Sequence, residues 1–292
     1  MGSNQHFGGD WTIEKLERVK KYLQAYTTIM NKQVFKFAYI DAFAGTGYVE
    51  FSKEEDQGPG LIELAEEEPQ CFIHGSARIA LQVRPRFQKY VFIEKSNKRC
   101  HELYKLKDNF PELASDIKII NGEANSIIQK ICKEVNWRTN RALLFLDPYG
   151  MQVKWETLVA IAETKAIDLW ILFPLGVAVN RMLKKDGQIN ELWLSRLDEI
   201  FGTREWYDAF YKTKTSSTLF GNVEQTEKVA KIDDIGKYFV SRLKTIFTDV
   251  AENPLPLYNS RNNPLFLLCF AVGNPKGAPT AIKIAKHILK KR

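Results

Sequence analysis

The chain has 292 residues, 45% of them hydrophobic, and carries a formal net charge of +7 with a pI near 9.0. It is therefore long and apolar enough to bury a large core, and its basic balance favours an anionic partner such as nucleic acid. The first residues lack an apolar signal core, no segment has bilayer length, and the four cysteines are scattered. We therefore expect a cytoplasmic protein with reduced thiols, and neither a zinc site nor a disulfide framework.

The first predicted strand, 37–41, leads into a glycine-rich turn within the run Tyr39-Ile-Asp-Ala-Phe-Ala-Gly-Thr-Gly47. Glycines there let the backbone approach a ligand, and Asp41 can accept a ligand cation or hydroxyl. Glu50 stands where a dinucleotide fingerprint needs its third glycine, and no Lys-Ser or Lys-Thr pair follows as in a P-loop. A purely structural turn is the alternative. The run predicts a cofactor pocket lined by Asp41, Ala42, Phe43, Ala44, Gly45 and Gly47.

A second predicted strand, 90–94, ends in Glu94, which is placed to accept both ribose hydroxyls of a cofactor, with Lys95 beside it. The spacing from the glycine turn is too long for a direct strand-helix-strand unit. We therefore predict an inserted loop over 48–74 and a helix over 75–83. A solvated charge at a strand end is the alternative interpretation of Glu94.

A third predicted strand, 117–120, is followed by Asn121-Gly-Glu-Ala-Asn125. Glu123 or Asn125 can hydrogen-bond to the edge of a cofactor adenine, so we add Glu123, Ala124 and Asn125 to the predicted pocket. An ordinary turn is the alternative, because Asn and Gly are equally expected there.

The fourth predicted strand, 142–147, runs into Asp147-Pro148-Tyr149-Gly150. A carboxylate, a proline carbonyl and a ring offer two acceptors beside a stacking surface, which suits a planar base that carries an amino group. A crossover helix over 155–165 and an apolar fifth strand, 168–173, follow. This alternation predicts an α/β fold, the Rossmann-like, doubly wound, mostly parallel seven-stranded sheet of class I methyltransferases.

We divide the chain into a core over 1–180, a helical insertion or cap over 181–250 and a core completion over 251–292. In the last part, 254–260 and 264–272 flank a turn signal, which predicts the antiparallel hairpin that closes such a sheet.

Basic side chains in two segments are candidates for binding RNA or DNA. A C-terminal helix would place Lys283, Lys286 and Lys290 on one face, and Arg181 opens the predicted insertion. A solvated terminal helix is the alternative, because lysines also favour the carboxyl end of a helix dipole.

The chain resembles the three-Cys-motif partner proteins (TcmP), a bacterial and phage family, over nearly its full length. The resemblance is carried by Asp10-Trp-Thr-Ile-Glu-Lys-Leu16, Tyr39-Ile-Asp-Ala-Phe-Ala-Gly45, Phe92-Ile-Glu-Lys95, Asn121-Gly-Glu-Ala-Asn125, Leu144-Phe-Leu-Asp-Pro-Tyr-Gly150 and Asp168-Leu-Trp-Ile-Leu-Phe-Pro-Leu-Gly176. It implies a methyltransferase-like fold and a protein partner that carries a three-cysteine motif.

These motifs together predict an S-adenosylmethionine-dependent methyltransferase that modifies an exocyclic amino group of a nucleic-acid base, with adenine favoured. Asp147 and Pro148 would accept the amino hydrogens and Tyr149 would stack on the base. The motif lacks the second proline of amino methyltransferases, so a non-catalytic interaction module acting with the three-Cys-motif partner remains an alternative. A methyltransferase of proteins or small molecules is a third.

Overall fold

The computed structural model describes residues 10–44, 75–148, 150–218 and 221–290. The strands in these ranges are β1 Lys36–Asp41, β2 Lys89–Glu94, β3 Ile117–Asn121, β4 Asn140–Leu146, β5 Ile167–Phe173, β6 Tyr211–Thr218, β7 Gly221–Lys228, β8 Asp249–Val250, β9 Leu255–Tyr258 and β10 Pro264–Val272. The five strands predicted for the core are thus confirmed, with bounds that differ by one or two residues.

The main sheet has the strand order β3-β2-β1-β4-β5-β10-β8, and β9 pairs with the first half of β10. Strands β1 to β5 are parallel, whereas β10 is antiparallel to both of its neighbours, β5 and β8. An antiparallel strand inserted beside the last parallel one is typical of the class I methyltransferase fold, which confirms the predicted fold class, although the sheet has eight strands where seven were predicted. The predicted pairing of 254–260 with 264–272 is also present, as β9 and β10.

The helices are α1 Asp10–Met30, α2 Gly75–Gln82, α3 Asn97–Asn109, α4 Ala124–Glu134, α5 Trp155–Glu163, α6 Asn180–Met182, α7 Glu191–Phe201, α8 Trp206–Phe210, α9 Ile232–Lys244 and α10 Ala278–Ile288. Helices α1, α2, α3 and α10 cover one face of the sheet, and α4, α5, α7, α8 and α9 cover the other. All of β5 is buried because both faces are covered. None of the described helices is long and apolar enough to span a membrane.

Helix α1 was not predicted from the sequence. Its buried residues recur at the helical period, and its rings pack on the sheet, as where Tyr22 meets Phe270 with ring centroids 4.6 Å apart. Trp11, in the first turn, lies against Phe266, and Tyr26, near the end, lies against Phe37. The helix therefore begins at the carboxyl edge of the parallel strands and ends at their amino edge.

The segment predicted as a helical insertion, 181–250, also contains an antiparallel hairpin of β6 and β7. Its strand residues are mainly Thr, Ser, Lys, Glu and Gln without an apolar face, so hydrophobic periodicity could not identify them. Cross-strand pairing decides the outcome, and Tyr211 at the base of the hairpin donates its hydroxyl to the carbonyl of Lys184 at 2.8 Å.

Asp168, in the second position of β5, is a buried acid at the amino edge of the sheet. Burial raises its pKa to about 7, and the nearby N–H groups of Gly273 and Asn274 and the Tyr22 hydroxyl only partly offset that rise. Because this folded pKa lies above the ordinary value, the folded chain binds the proton more tightly than the unfolded chain. This contribution to the free energy of unfolding therefore falls as pH rises from about 4 to about 7.

We predict that Asp168→Asn increases the free energy of unfolding at about pH 8 by roughly 1–4 kcal/mol, since it removes a carboxylate that must ionise inside the core. At about pH 4 or below the difference should be small, because the acid is then largely protonated in the unfolded chain as well as in the folded one. Urea unfolding at the two pH values measures this. If the urea midpoints of wild type and variant change by the same amount between the two pH values, Asp168 is not the source of the pH dependence.

Candidate active site

Four acidic residues meet at the carboxyl edge of the parallel strands. Asp41 ends β1 and Glu94 ends β2, while Glu123 and Asp147 stand just beyond β3 and β4. The register brings Asp41 opposite Phe92 of β2 and Phe145 of β4, so β1 lies at the centre of this edge. Open α/β sheets bind ligands in the crevice at this edge, where the strand order reverses.

The Asp41 carboxyl is fully buried, and burial raises its pKa to about 7. Ser76 and the Phe43 N–H approach the carboxyl and partly oppose this rise, and Tyr39 donates its hydroxyl to Oδ2 at 3.3 Å. Within the described part of the chain, no group makes a hydrogen bond to Oδ1. A buried carboxylate oxygen without a donor is costly, so this atom is suited to a cationic or donor group of a ligand.

The other residues of the first turn lie beside Asp41. Ala42 and Ala44 are buried, Phe43 is half-buried, and the Ala44 N–H donates to the carbonyl of Ile93 at 3.1 Å. Gly45, Gly47 and Tyr149 lie outside the described residues, so their predicted roles stay predictions.

Glu94 is buried at the end of β2, and its Oε1 atom has two partners. It accepts the Ser96 N–H at 2.7 Å and forms an ion pair with Arg99 of α3 at 2.9 Å. Both contacts use the same oxygen, and no described residue makes a hydrogen bond to Oε2, so the predicted contact of this atom with ribose hydroxyls stays a prediction. Lys95 is exposed, and its carbonyl accepts from Asn121 at 3.1 Å.

Glu123 is the N-cap of α4. Its carboxylate accepts the N–H groups of Asn125 and Ser126 at 2.9 and 2.8 Å, and the side chains of the same two residues also donate to it. Although burial acts to raise the pKa of Glu123, these four hydrogen bonds lower it below its ordinary value. The side chain holds the turn above β3, and the buried Ala124 opens the helix.

Asn125 joins the β3 turn to the loop after β4. Its amide nitrogen donates to Glu123 and to the Gln152 carbonyl, and its oxygen accepts from the Lys154 N–H and the Thr157 hydroxyl, at 2.7 to 3.0 Å. An Asn side chain has two donors and two acceptor sites, so its capacity is used up. The Asn125 side chain therefore holds two loops together, and its predicted contact with a cofactor adenine stays a prediction.

Asp147 is bound by a residue of α1 that the sequence analysis did not select. Lys15 Nζ lies 2.6 Å from Asp147 Oδ2, and the exposed fractions of the two side chains are 1% and 16%. The ammonium also lies over the Trp11 ring, 5.0 Å from its centroid. Pro148, the next residue, is buried. The structure thus brings Lys15, Tyr39, Asp41 and Asp147 into one region.

The sequence contains a feature that indicates the buried ion pair of Lys15. It belongs to a stripe of buried positions on α1 that includes Trp11, Arg18, Val19 and Tyr22, a pattern that normally selects apolar residues. Lys and Arg are almost never fully buried unless they are paired. A cation in the apolar stripe of an amphipathic helix therefore indicates an acid on the element against which the helix packs.

The predicted nucleic-acid-binding residues are more peripheral. In α10, Lys283 is exposed and Lys286 forms an ion pair with Glu252 at 3.4 Å. Lys290 is exposed just beyond the helix, and its carbonyl accepts from Arg18 at 2.8 Å. Arg181 is exposed in α6, shortly after β5. The basic helix thus ends near the first turns of α1, but in the described chain none of these four side chains contacts the acids of the site.

No protein-family model and no curated protein matches the chain. Among solved structures it is similar to a Legionella pneumophila protein, with 15% identity and a TM-score of 0.47 over 97% of this chain and 92% of that one. It is also similar to spermidine synthase in complex with the transition-state analogue AdoDATO (11% identity, TM-score 0.41, 94% of this chain and 64% of that one). A third is a methyltransferase from Geobacter sulfurreducens (11% identity, TM-score 0.30, 75% and 89%). All three scores are below 0.5, so the fold assignment rests on strand order and direction.

Proposed function

We propose that the protein is an S-adenosylmethionine-dependent methyltransferase that acts on an exocyclic amino group of a nucleic-acid base, adenine being favoured. The observation that carries this proposal is the position of Asp41 and Asp147 at adjoining strand ends of a class I methyltransferase sheet. One acid suits the cofactor and the other suits an amino substrate, and the two lie close enough for the charge of Asp147 to act on the pKa of Asp41.

The chain's residues fit this cofactor. Asp41, whose buried Oδ1 receives no hydrogen bond from the described residues, would hold the ammonium of its amino-acid part, and Glu94 Oε2 would accept the ribose hydroxyls. The cofactor supplies an electrophilic methyl group. Glu123 and Asn125 would shape the pocket by fixing its loops, because their side-chain atoms are engaged with each other and with backbone.

Asp147 and Pro148 would orient the substrate. A carboxylate oxygen and a proline carbonyl that accept the two amino hydrogens would direct the nitrogen lone pair at the methyl group, so catalysis would come mainly from positioning. Tyr149 would stack on the base. An amino group that must present two hydrogens to two acceptors favours adenine or cytosine chemistry over hydroxyl methylation.

We also propose that the chain belongs to the three-Cys-motif partner family and acts with a protein that carries the three-cysteine motif. Two of the motifs that suggested the family, 10–16 and 144–150, are far apart in sequence and meet in space through the pair Lys15–Asp147. Their meeting supports the view that these motifs form one site.

One observation favours the alternative of a non-catalytic interaction module. Asp147 already has a buried cationic partner, as an acid that only ties α1 to β4 would have. In that case the role of the acid would be structural, and its removal would change stability without changing methylation.

We predict that Asp41→Asn weakens binding of S-adenosylmethionine by roughly 1.5–3 kcal/mol at about pH 8, since a charged hydrogen bond is lost. Wild-type affinity should fall by up to about tenfold per pH unit below pH 7, because the free acid is then protonated and the bound one must ionise. The variant should lack this dependence. Titration calorimetry across the pH range measures both effects.

The matched control is Asp168→Asn, which makes the same substitution at a buried acid of similar pKa on the opposite edge of the sheet. It should keep the wild-type affinity and pH dependence. An Asp41→Asn protein that binds like the wild type at every pH would remove Asp41 from the cofactor site.

For Asp147→Asn we predict a fall in methyl transfer of about 100-fold or more, with cofactor affinity within about threefold of wild type, because the acceptor is needed in the reaction and not for cofactor binding. The readout is mass spectrometry of methylated bases in nucleic acid from cells that express each protein at equal levels. Asp116→Asn is the matched control, since Asp116 also pairs with a lysine, Lys89 at 2.9 Å, and is 18% exposed. Full methylation by folded Asp147→Asn would favour the interaction module.

Replacement of Lys283, Lys286 and Lys290 by Gln should reduce nucleic-acid affinity and flatten its dependence on salt, because up to three phosphate contacts are lost. Replacement of Lys36, Lys130 and Lys133, which are exposed towards the amino edge, removes the same charge elsewhere and should change the slope less. Fluorescence anisotropy at several salt concentrations compares the two. Equal slopes for both triple variants and wild type would mean that α10 does not contact phosphates.

A further inference from the structure

The ion pair between Lys15 and Asp147 requires the removal of charged groups from water, which costs free energy. Removing an ammonium and a carboxylate from water is expensive, and their attraction often repays no more than well-packed apolar side chains would. Lys15 stands in the apolar stripe of α1, where a Leu or Met would pack against the sheet without that cost. Stability alone is therefore a weak reason for a cation at this position.

The position of the ammonium is well determined. Its helix is fixed at Trp11, whose ring centroid lies 5.0 Å from that of Phe266, and at Arg18. The Arg18 guanidinium donates to the carbonyls of Ile288 and Lys290 at the end of α10 and to Glu14. Lys15 lies between these two contacts, about one helical turn from each. The fixed helix therefore places the Lys15 ammonium at a defined position at the carboxyl edge of the sheet.

The charge of the ammonium also matters to the site. Asp41 and Asp147 follow adjoining strands, and Asp147 raises the pKa of the Asp41 carboxyl, after the larger effect of burial. A cation on Asp147 reduces this repulsion. It also binds Oδ2, which restrains the Asp147 side chain, and no described residue makes a hydrogen bond to the other oxygen, Oδ1, so Oδ1 can serve as the acceptor for a substrate.

We infer that Lys15 is a positioning residue for amino methylation: its ammonium holds the Asp147 carboxylate so that Oδ1 accepts a hydrogen of the substrate amino group. The inference rests on the proposed function. It assigns a role in the reaction to α1, which precedes the first strand of the sheet, and it explains why a buried lysine and the acid after β4 meet. Lys15 acts through Asp147 and does not itself touch the reacting atoms.

A double-mutant cycle tests this role. Lys15→Met, Asp147→Asn and the double variant are compared with wild type for methyl transfer to nucleic acid isolated from cells that lack the protein. Lys15→Met should lower kcat by roughly 10- to 100-fold with a smaller change in KM, as expected when a reacting group is misplaced. In the Asp147→Asn background the same substitution should change kcat by less than about twofold, because residues that act as one unit are not additive.

Three further measurements separate positioning from folding. Cofactor affinity by calorimetry should stay within about threefold of wild type in every variant, which shows that the fold and the cofactor pocket persist. Lys15→Arg should recover part of the lost kcat, because it restores a cation near Asp147. Lys89→Met with Asp116→Asn forms a control cycle on another lysine–aspartate pair and should leave kcat unchanged.

The possible failures are distinguishable. If wild type methylates amino bases and the effects of Lys15→Met and Asp147→Asn on kcat multiply, Lys15 does not act through Asp147 and only this inference is wrong. If Lys15→Met is folded and fully active, the inference is also overturned. If wild type transfers no methyl group to any base, the proposed function fails, and the role of Lys15 fails with it. Should Lys15→Met not fold, the comparison of Lys15→Arg and Lys15→Gln replaces it, and equal activity of those two would overturn the inference.

Discussion

The balance of charge at the carboxyl edge of the sheet is the constraint on which the site depends. Parallel strands bring the ends of β1 and β4 together, so the fully buried Asp41 and the partly buried Asp147 lie close to each other. A chain with two such carboxylates needs a cation or protonation to offset their charge. Here Lys15 pairs with Asp147, while the pKa of Asp41 is raised to about 7.

That balance links parts of the molecule that are distant in sequence. Lys15 lies on α1, Arg18 on the same helix holds the end of α10, and α10 follows the antiparallel strand β10 that identifies the fold. The first helix therefore connects the candidate active site with the C-terminal part of the core. On the opposite face, the insertion packs on β5, where Phe239 stacks on Phe173 with ring centroids 3.9 Å apart.

The acids of the edge divide between binding and structure. Among the described residues, no group makes a hydrogen bond to Glu94 Oε2 or to Asp41 Oδ1, whereas the side chains of Glu123 and Asn125 bind each other and the neighbouring backbone. A ligand pocket needs such rigid loops as much as it needs contacts to the ligand. The two proposed functions differ in the role of Asp147. In an enzyme this residue also binds the substrate, whereas in an interaction module it only pairs with Lys15.

The sequence by itself determined the five parallel strands, because buried strands appear as continuous apolar runs. It also determined the acidic residues that end or follow these strands, and the C-terminal hairpin of β9 and β10. Only the tertiary structure decided which polar side chains bind one another. The hydrogen-bond partners of the Asn125 side chain, among them Gln152 and Lys154, were likewise not evident from the sequence. The hairpin of β6 and β7 has no apolar period, and Lys15 finds its acid 132 positions away. Local sequence patterns predict which residues are buried and where strands end. The pairing of polar groups depends instead on contacts between segments that are distant in sequence, and only the folded chain defines these contacts.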